Sequence, residues 1–177
     1  MGLSHQPVIL MRPGAANDRL AAKLKADGIE AWCWPAFTIT LPEDQELVAQ
    51  RLAHLDDVDM VVLPGGIPGT PNLAANKTVT DTCVSFAKSG KKVAAICAAP
   101  SVLASLGLLE GRKATAHAGF QDKLAGAEVL DTEVVVDGNI TTSYGLGGAI
   151  PFALELVRQL AGQAEADRIQ NAIAYRH

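Results

Sequence analysis

A cysteine follows the apolar run Val93-Ala94-Ala95-Ile96, and a proline suited to opening a helix stands three residues later, at Pro100. A thiol on such a strand-to-helix turn is held exposed and close to the positive end of the helix dipole. Both effects favour the thiolate, which is the nucleophilic form. Small neighbours (Ala94, Ala95, Ala98, Ala99) leave room for the sharp bend that an elbow requires, and Pro100 fits the first helical turn, where a missing N–H costs nothing. The plain alternative is burial, since an unpaired cysteine is often a small core residue. The other two thiols read as packing: Cys33 lies between two tryptophans in a strand, and Cys83 sits in mid-helix.

His117 is the second candidate. It follows a strand and could act as general acid or base toward a carbonyl substrate; a loop histidine that only hydrogen-bonds its neighbours is the alternative. The glycine-rich stretch Tyr144 to Gly148 precedes a helix and could cradle a phosphate, as could Arg12-Pro13-Gly14. Neither has a GxGxxG register or a P-loop lysine. His54, on an amphipathic helix, reads as a surface or interface residue. The three cysteines, at 33, 83 and 97, form no CxxC pair and no metal-ligand spacing, so neither a structural zinc nor a disulfide framework is expected.

Short apolar runs alternate with helical periodicity along the chain. Strands are expected at Val8 to Met11, Glu30 to Trp34, Asp59 to Leu63, Lys92 to Ile96, Lys113 to His117, Glu133 to Val136 and Asn139 to Ser143. The last two are joined by an Asp137-Gly138 hairpin turn. Helices are expected at about 15–26, 44–55, 77–88, 100–106, 149–160 and 165–174, with Asp44 capping the second. Regular alternation with short connections implies one α/β domain over residues 1–177, its mainly parallel sheet covered on both faces. Ligands gather at the carboxyl ends of the strands in such sheets. The loops Arg12 to Ala16, Pro64 to Pro68, Cys97 to Ser101, His117 to Phe120 and Tyr144 to Gly148 are therefore the ones expected to matter.

The bulk properties agree. The 177 residues are 49% apolar and 19% charged, with a net charge of −4, a composition that argues against nucleic acid as a main partner. No apolar run approaches a membrane-spanning length. The opening MGLSHQP lacks the regions of a signal peptide, and the sparse, odd cysteine count fits a reducing cytoplasm.

From about Asp59 onward the chain resembles the ThiJ/PfpI superfamily, which includes the Parkinsonism-associated deglycase family. The matching stretches are DMVVLPGGIPGTPNL (Asp59 to Leu73), KKVAAICAAPSVLASLGLLEGRKAT (Lys91 to Thr115), EVVVDGNITTS (Glu133 to Ser143) and FALELV (Phe152 to Val157). The resemblance implies a flavodoxin-like three-layer sandwich with an added β-hairpin, and Cys97 as the elbow nucleophile. It implies Gly65 and Gly66 as backbone donors to the substrate oxygen, Ala98 in the same substrate-binding set, and His117 as the nearby imidazole. It also implies a cofactor-free activity on small reactive carbonyls, in a monomer or a homodimer. Two departures stand out. His117-Ala118-Gly119 has alanine where relatives carry proline, and Tyr144-Gly145-Leu146-Gly147-Gly148 replaces Arg-Gly-x-Gly-Thr.

The first third differs. ThiJ-type chains open with a Gly-x-Glu-Glu-x-Glu turn whose last glutamate touches the cysteine. Here RPGAANDRLAAKL (Arg12 to Leu24) and GIEAWCWPAFTI (Gly28 to Ile39) resemble the first half-domain of uroporphyrinogen-III synthase. Counting ungapped from the first strand, Asp18 takes the glutamate's position; its plain alternative is a solvated residue near a helix N-terminus. Together the resemblances suggest an engineered hybrid of a synthase-like segment (1–58) and a ThiJ-like one (59–177), joined near Asp57. A divergent natural ThiJ-type chain is the alternative. The hybrid reading expects a stable scaffold without evolved activity and without uroporphyrinogen-III synthase activity. The alternatives are a cysteine glyoxalase or deglycase and, more remotely, a small phosphate-binding module.

Overall fold

The computed structural model describes residues 8–10, 22, 25–26, 31–33 and 58–176. The chain divides into two compact units, residues 1–53 and 54–177, each described by itself. In the first, β1 (Val8–Leu10) pairs in parallel with β2 (Ala31–Cys33), Ile9 standing opposite Trp32. Ala22, Lys25 and Ala26 between them are helical. This agrees with the expected strand-helix-strand opening. Asp18, the Arg12 to Ala16 turn and the helix expected at 44–55, with His54, lie outside the described residues.

The second unit runs β3 (Met60–Leu63), α1 (Gly69–Ala75), α2 (Lys77–Ser89), β4 (Lys92–Ile96) and α3 (Pro100–Ser105). It continues with β5 (Lys113–Ala114), β6 (Glu128–Val129), β7 (Val134–Asp137), β8 (Ile140–Ser143), α4 (Ala149–Ala161) and α5 (Gln163–Ala172). Its main sheet has the order β3-β4-β8-β7, parallel throughout except for the antiparallel β7-β8 pair. Successive strand residues point to opposite faces, yet Val93, Ala94 and Ala95 are all buried, as is every residue of β8. Both faces of these two strands are therefore covered, the condition under which a strand reads as a continuous apolar run. This is the expected flavodoxin-like α/β architecture, and among the described residues the hairpin is its one antiparallel pair.

Local chemistry fixes the element ends. The Asn76 side chain caps α2 by accepting from the Val79 N–H at 3.2 Å, and Gly90 ends the helix at φ 79°. Between these caps Cys83 and Phe86 bury one stripe of α2 in the core, beside Leu63, Val93, Leu103 and Ile140. Gly138, at φ 61°, takes the first of the two loop positions between the paired residues Asp137 and Ile140. At the other loop position the Asn139 Nδ2 donates to the carbonyls of Ala87 (3.0 Å) and Lys91 (2.7 Å). One amide thus ties the hairpin to the end of α2 and the start of β4. On the far side, the Gln159 Nε2 donates to Thr141 Oγ1 at 2.9 Å and holds α4 to β8.

The strand expected from Lys113 to His117 is shorter than its pattern suggested. It pairs with β6 only over Lys113 and Ala114. Beyond that point the Thr115 N–H turns to Thr142 Oγ1 (2.9 Å) and the His117 N–H to the Cys97 carbonyl (2.9 Å), so the donors serve the main sheet instead of a ladder. Helix α1 and strand β6 were not foreseen. The first begins amid glycines and prolines that read as loop, and the second has only two residues.

Replacing Asn139 with alanine leaves the Lys91 carbonyl without this donor and removes one of those serving Ala87. The expected loss is about 1–2 kcal/mol of unfolding free energy, measured by urea denaturation at unchanged m-value.

Candidate active site

Cys97 follows directly on β4, and the chain turns there through φ 66°, a left-handed conformation that disfavours any residue with a Cβ. Three hydrogen bonds hold the turn. The Cys97 N–H donates to the Ser143 carbonyl at the end of β8 (2.8 Å), and its own carbonyl accepts from the His117 N–H (2.9 Å). The Ala99 N–H closes back onto the Ile96 carbonyl (3.2 Å). Ala98, Ala99 and Pro100 are buried beneath the bend, which explains why small residues flank the thiol. Cys97 itself is half-buried, while Cys83 is fully buried and burial pushes its thiol above the usual range. The expected contrast between an accessible elbow cysteine and a packing cysteine is what the second unit contains.

Three more loops meet at this point. Gly65 lies so close to the elbow that an added Cβ would stand 2.5 Å from Cys97 Cβ, 2.7 Å from the Ile96 carbonyl oxygen and 3.1 Å from the Ala98 nitrogen. The N–H groups of Gly65, Gly66 and Ala98 make none of the turn and loop hydrogen bonds among the described residues. Of these, Gly65 and Ala98 are the two that the close approach brings against the elbow. Gly145, at φ 144°, approaches from another side: a Cβ there would lie 3.7 Å from both Cys97 Sγ and His117 Cδ2. Sulfur and imidazole therefore border one small volume.

His117 is exposed and oriented by its own loop. Its Nδ1 accepts from the Gly119 N–H at 3.1 Å, so a proton on the neutral ring sits on Nε2. The 3-10 turn over residues 118–123 begins with the Phe120 N–H donating to the His117 carbonyl at 2.7 Å. These bonds hold the loop that carries Ala118. In the other departing loop, Tyr144 points its hydroxyl toward Glu133 Oε1 (3.5 Å).

Four of the five loops singled out from the sequence thus converge on Cys97, and the fifth, with Asp18, lies outside the described residues. Gly145 was contained in one of those loops but not identified; its torsion and its distance to the sulfur leave no mark on sequence beyond the glycine itself. Among the described residues no group of three potential ligands could hold a metal. None of their helices is long and apolar enough to cross a membrane.

A cysteine on a strained turn at the carboxyl end of a mainly parallel, doubly covered sheet defines a flavodoxin-like protein of the nucleophile-elbow class. The DJ-1/PfpI family model matches residues 40–159, and the chain belongs to that family. It is 38% identical over 154 residues to Protein DJ-1 homolog B of Arabidopsis thaliana, a match covering 85% of this chain and 35% of that protein. It is likewise 38% identical over 107 residues to Deglycase PfpI of Pyrococcus furiosus, covering 59% of this chain and 64% of the relative. The chain thus spans less than two thirds of either protein. Among solved structures, Drosophila melanogaster DJ-1beta superposes with a TM-score of 0.70 at 30% identity, covering 97% of both chains. The family match begins upstream of Asp57, so a hybrid boundary there, and a uroporphyrinogen-III synthase half before it, find no support.

Two substitutions probe the turn. Gly65→Ala must displace the Cys97 backbone, costing about 1–3 kcal/mol as other overpacked sites do. It is expected to slow alkylation of Cys97 by iodoacetamide in the folded state. At position 97 itself, the Gly variant should melt above the Ala variant. Left-handed backbone costs alanine roughly 1–2 kcal/mol, while glycine's extra unfolded-state entropy offsets only about 0.5–1 kcal/mol of this. Calorimetry on the pair measures the difference.

Proposed function

We propose that the chain is a cofactor-free cysteine enzyme of the glyoxalase or deglycase type, acting on small 2-oxoaldehydes and their adducts. The observation that carries this reading is the common volume bordered by Cys97 Sγ and the His117 ring. That the N–H groups of Gly65, Gly66 and Ala98 make no turn or loop hydrogen bond among the described residues supports their part as oxyanion donors. The deglycase relative from Pyrococcus supports the same chemistry.

In this mechanism the Cys97 thiolate attacks the aldehyde carbon. The new C–S bond forms as the carbonyl π pair moves to oxygen, and the resulting oxyanion is held by the Gly65, Gly66 and Ala98 amides. His117 transfers a proton between the former aldehyde carbon and the adjacent carbonyl through an enediol. The internal redox exchange leaves a thioester at the first carbon and a hydroxyl at the second. Water then cleaves the thioester to a 2-hydroxy acid and restores the thiol, so methylglyoxal plus water becomes lactate with no external oxidant. Asp18 is proposed as the carboxylate that takes the place of the family's glutamate. The match to DJ-1beta over 97% of the chain supports one flavodoxin-like domain spanning both units.

Wild-type protein is expected to consume methylglyoxal and release lactate. Cys97→Ser is expected to lose at least 100-fold in kcat/KM, about the least that a nucleophile contributes over general acid–base assistance alone. Lactate release equal in the two proteins defeats the proposal.

A further inference from the structure

Next to the elbow lies a cleft of about 410 Å³, lined by Ile67, Thr70, Pro71, Val102, Phe120 and Lys123 among others. Three of the converging loops and helices build its wall. Ile67 follows the Gly65-Gly66 turn, Val102 stands on α3, the helix that begins after Cys97, and the Phe120 ring meets the His117 imidazole edge-on with centroids 6.5 Å apart. The cleft is therefore built on the same loops and helix that carry the reacting groups, and it exceeds the need of a methyl substituent.

Its chemistry is specific. Most of the lining is apolar, and Phe120 is its one aromatic residue. Thr70 is only 4% exposed, and its Oγ1 has no hydrogen-bond partner. A buried hydroxyl without a partner is costly and rare, and because Thr70 forms part of the cleft wall, a rotation of its side chain can offer this one to an occupant. The lining includes one cation, Lys123, whose Nζ sits 4.4 Å from the Phe120 ring centroid, and no carboxylate. An occupant that fits has an aromatic body to lie along Phe120, a polar atom for Thr70 and a negative charge for Lys123.

We infer that this cleft is a binding site for the substrate's side chain, and that it selects aromatic 2-oxoaldehydes bearing a carboxylate. The inference rests on the proposed carbonyl chemistry at Cys97 for the reacting end of the molecule only. The side-chain site itself is defined by the cleft, so binding tests it apart from turnover.

The probe is 4-acetylbenzoate, which keeps the aromatic ring, ketone and carboxylate but lacks the reactive aldehyde. It is titrated into the Cys97→Ser protein and followed by amide chemical shifts. Saturable shifts centred on Thr70, Ala74, Phe120 and Lys123 are expected, with acetophenone about threefold weaker because an exposed ion pair contributes modestly. Lys123→Gln should erase that threefold preference. Ala74→Trp, at an exposed position of α1 in the cleft wall, should abolish binding while the melting temperature shows the fold intact. Absence of saturable binding, shifts centred elsewhere, or full binding by Ala74→Trp overturns the inference. Failure of methylglyoxal turnover with cleft binding intact counts against the proposed activity alone.

Discussion

Both backbone hydrogen-bonding groups of Cys97 are engaged across the sheet, the N–H by Ser143 and the carbonyl by His117. This pair of bonds holds a residue with a side chain in left-handed backbone and sets where three loops end. The Ser143 bond extends the parallel β4-β8 pairing by one residue. The His117 bond draws the chain away from the β5-β6 ladder and toward the thiol. Without the first, β4 would have no fixed end; without the second, the imidazole would belong to a loop unrelated to the sulfur.

The rest of the second unit supports that clasp. β4 and β8 are buried on both faces, and Ala94 and Ala95 keep the layers close without side chains that could reshuffle. Asn139 and Gln159 hold the two strands to helices on either side of the sequence, through amide groups rather than apolar contact. Gly65 needs no Cβ and Gly145 needs an unusual torsion, and for both reasons the walls of the site can close on the sulfur. Rigid strands thus present the reactive group, while the loops determine what reaches it.

Much of this was legible in the sequence where local chemistry and tertiary structure agree. The run Val93 to Ile96, stopped by a thiol and a proline, gave both the strand and the elbow. Asp137-Gly138 marked the hairpin, and Gly90 the end of α2. Legibility failed where long-range hydrogen bonds overrode local preference. The segment from Thr115 to His117 has strand-forming residues, but its donors are taken by Thr142 and Cys97, which no periodicity records. Helix α1 was hidden by Pro68, Gly69 and Pro71, residues that ordinarily end helices; here they stand at the N-terminal turn, where a proline loses no bond. The Phe120 cleft was equally invisible, since its lining comes from three separate stretches of chain.

The clasp at Cys97 also separates two kinds of variation. Its hydrogen bonds use only main-chain atoms of Cys97, Ser143 and His117, so side chains at Ala118, Tyr144 and Leu146 can change without altering where the sulfur stands. A reactive centre fixed by backbone and surrounded by replaceable side chains can acquire new substrates by drift in its loops, with no intermediate sequence that misplaces the nucleophile.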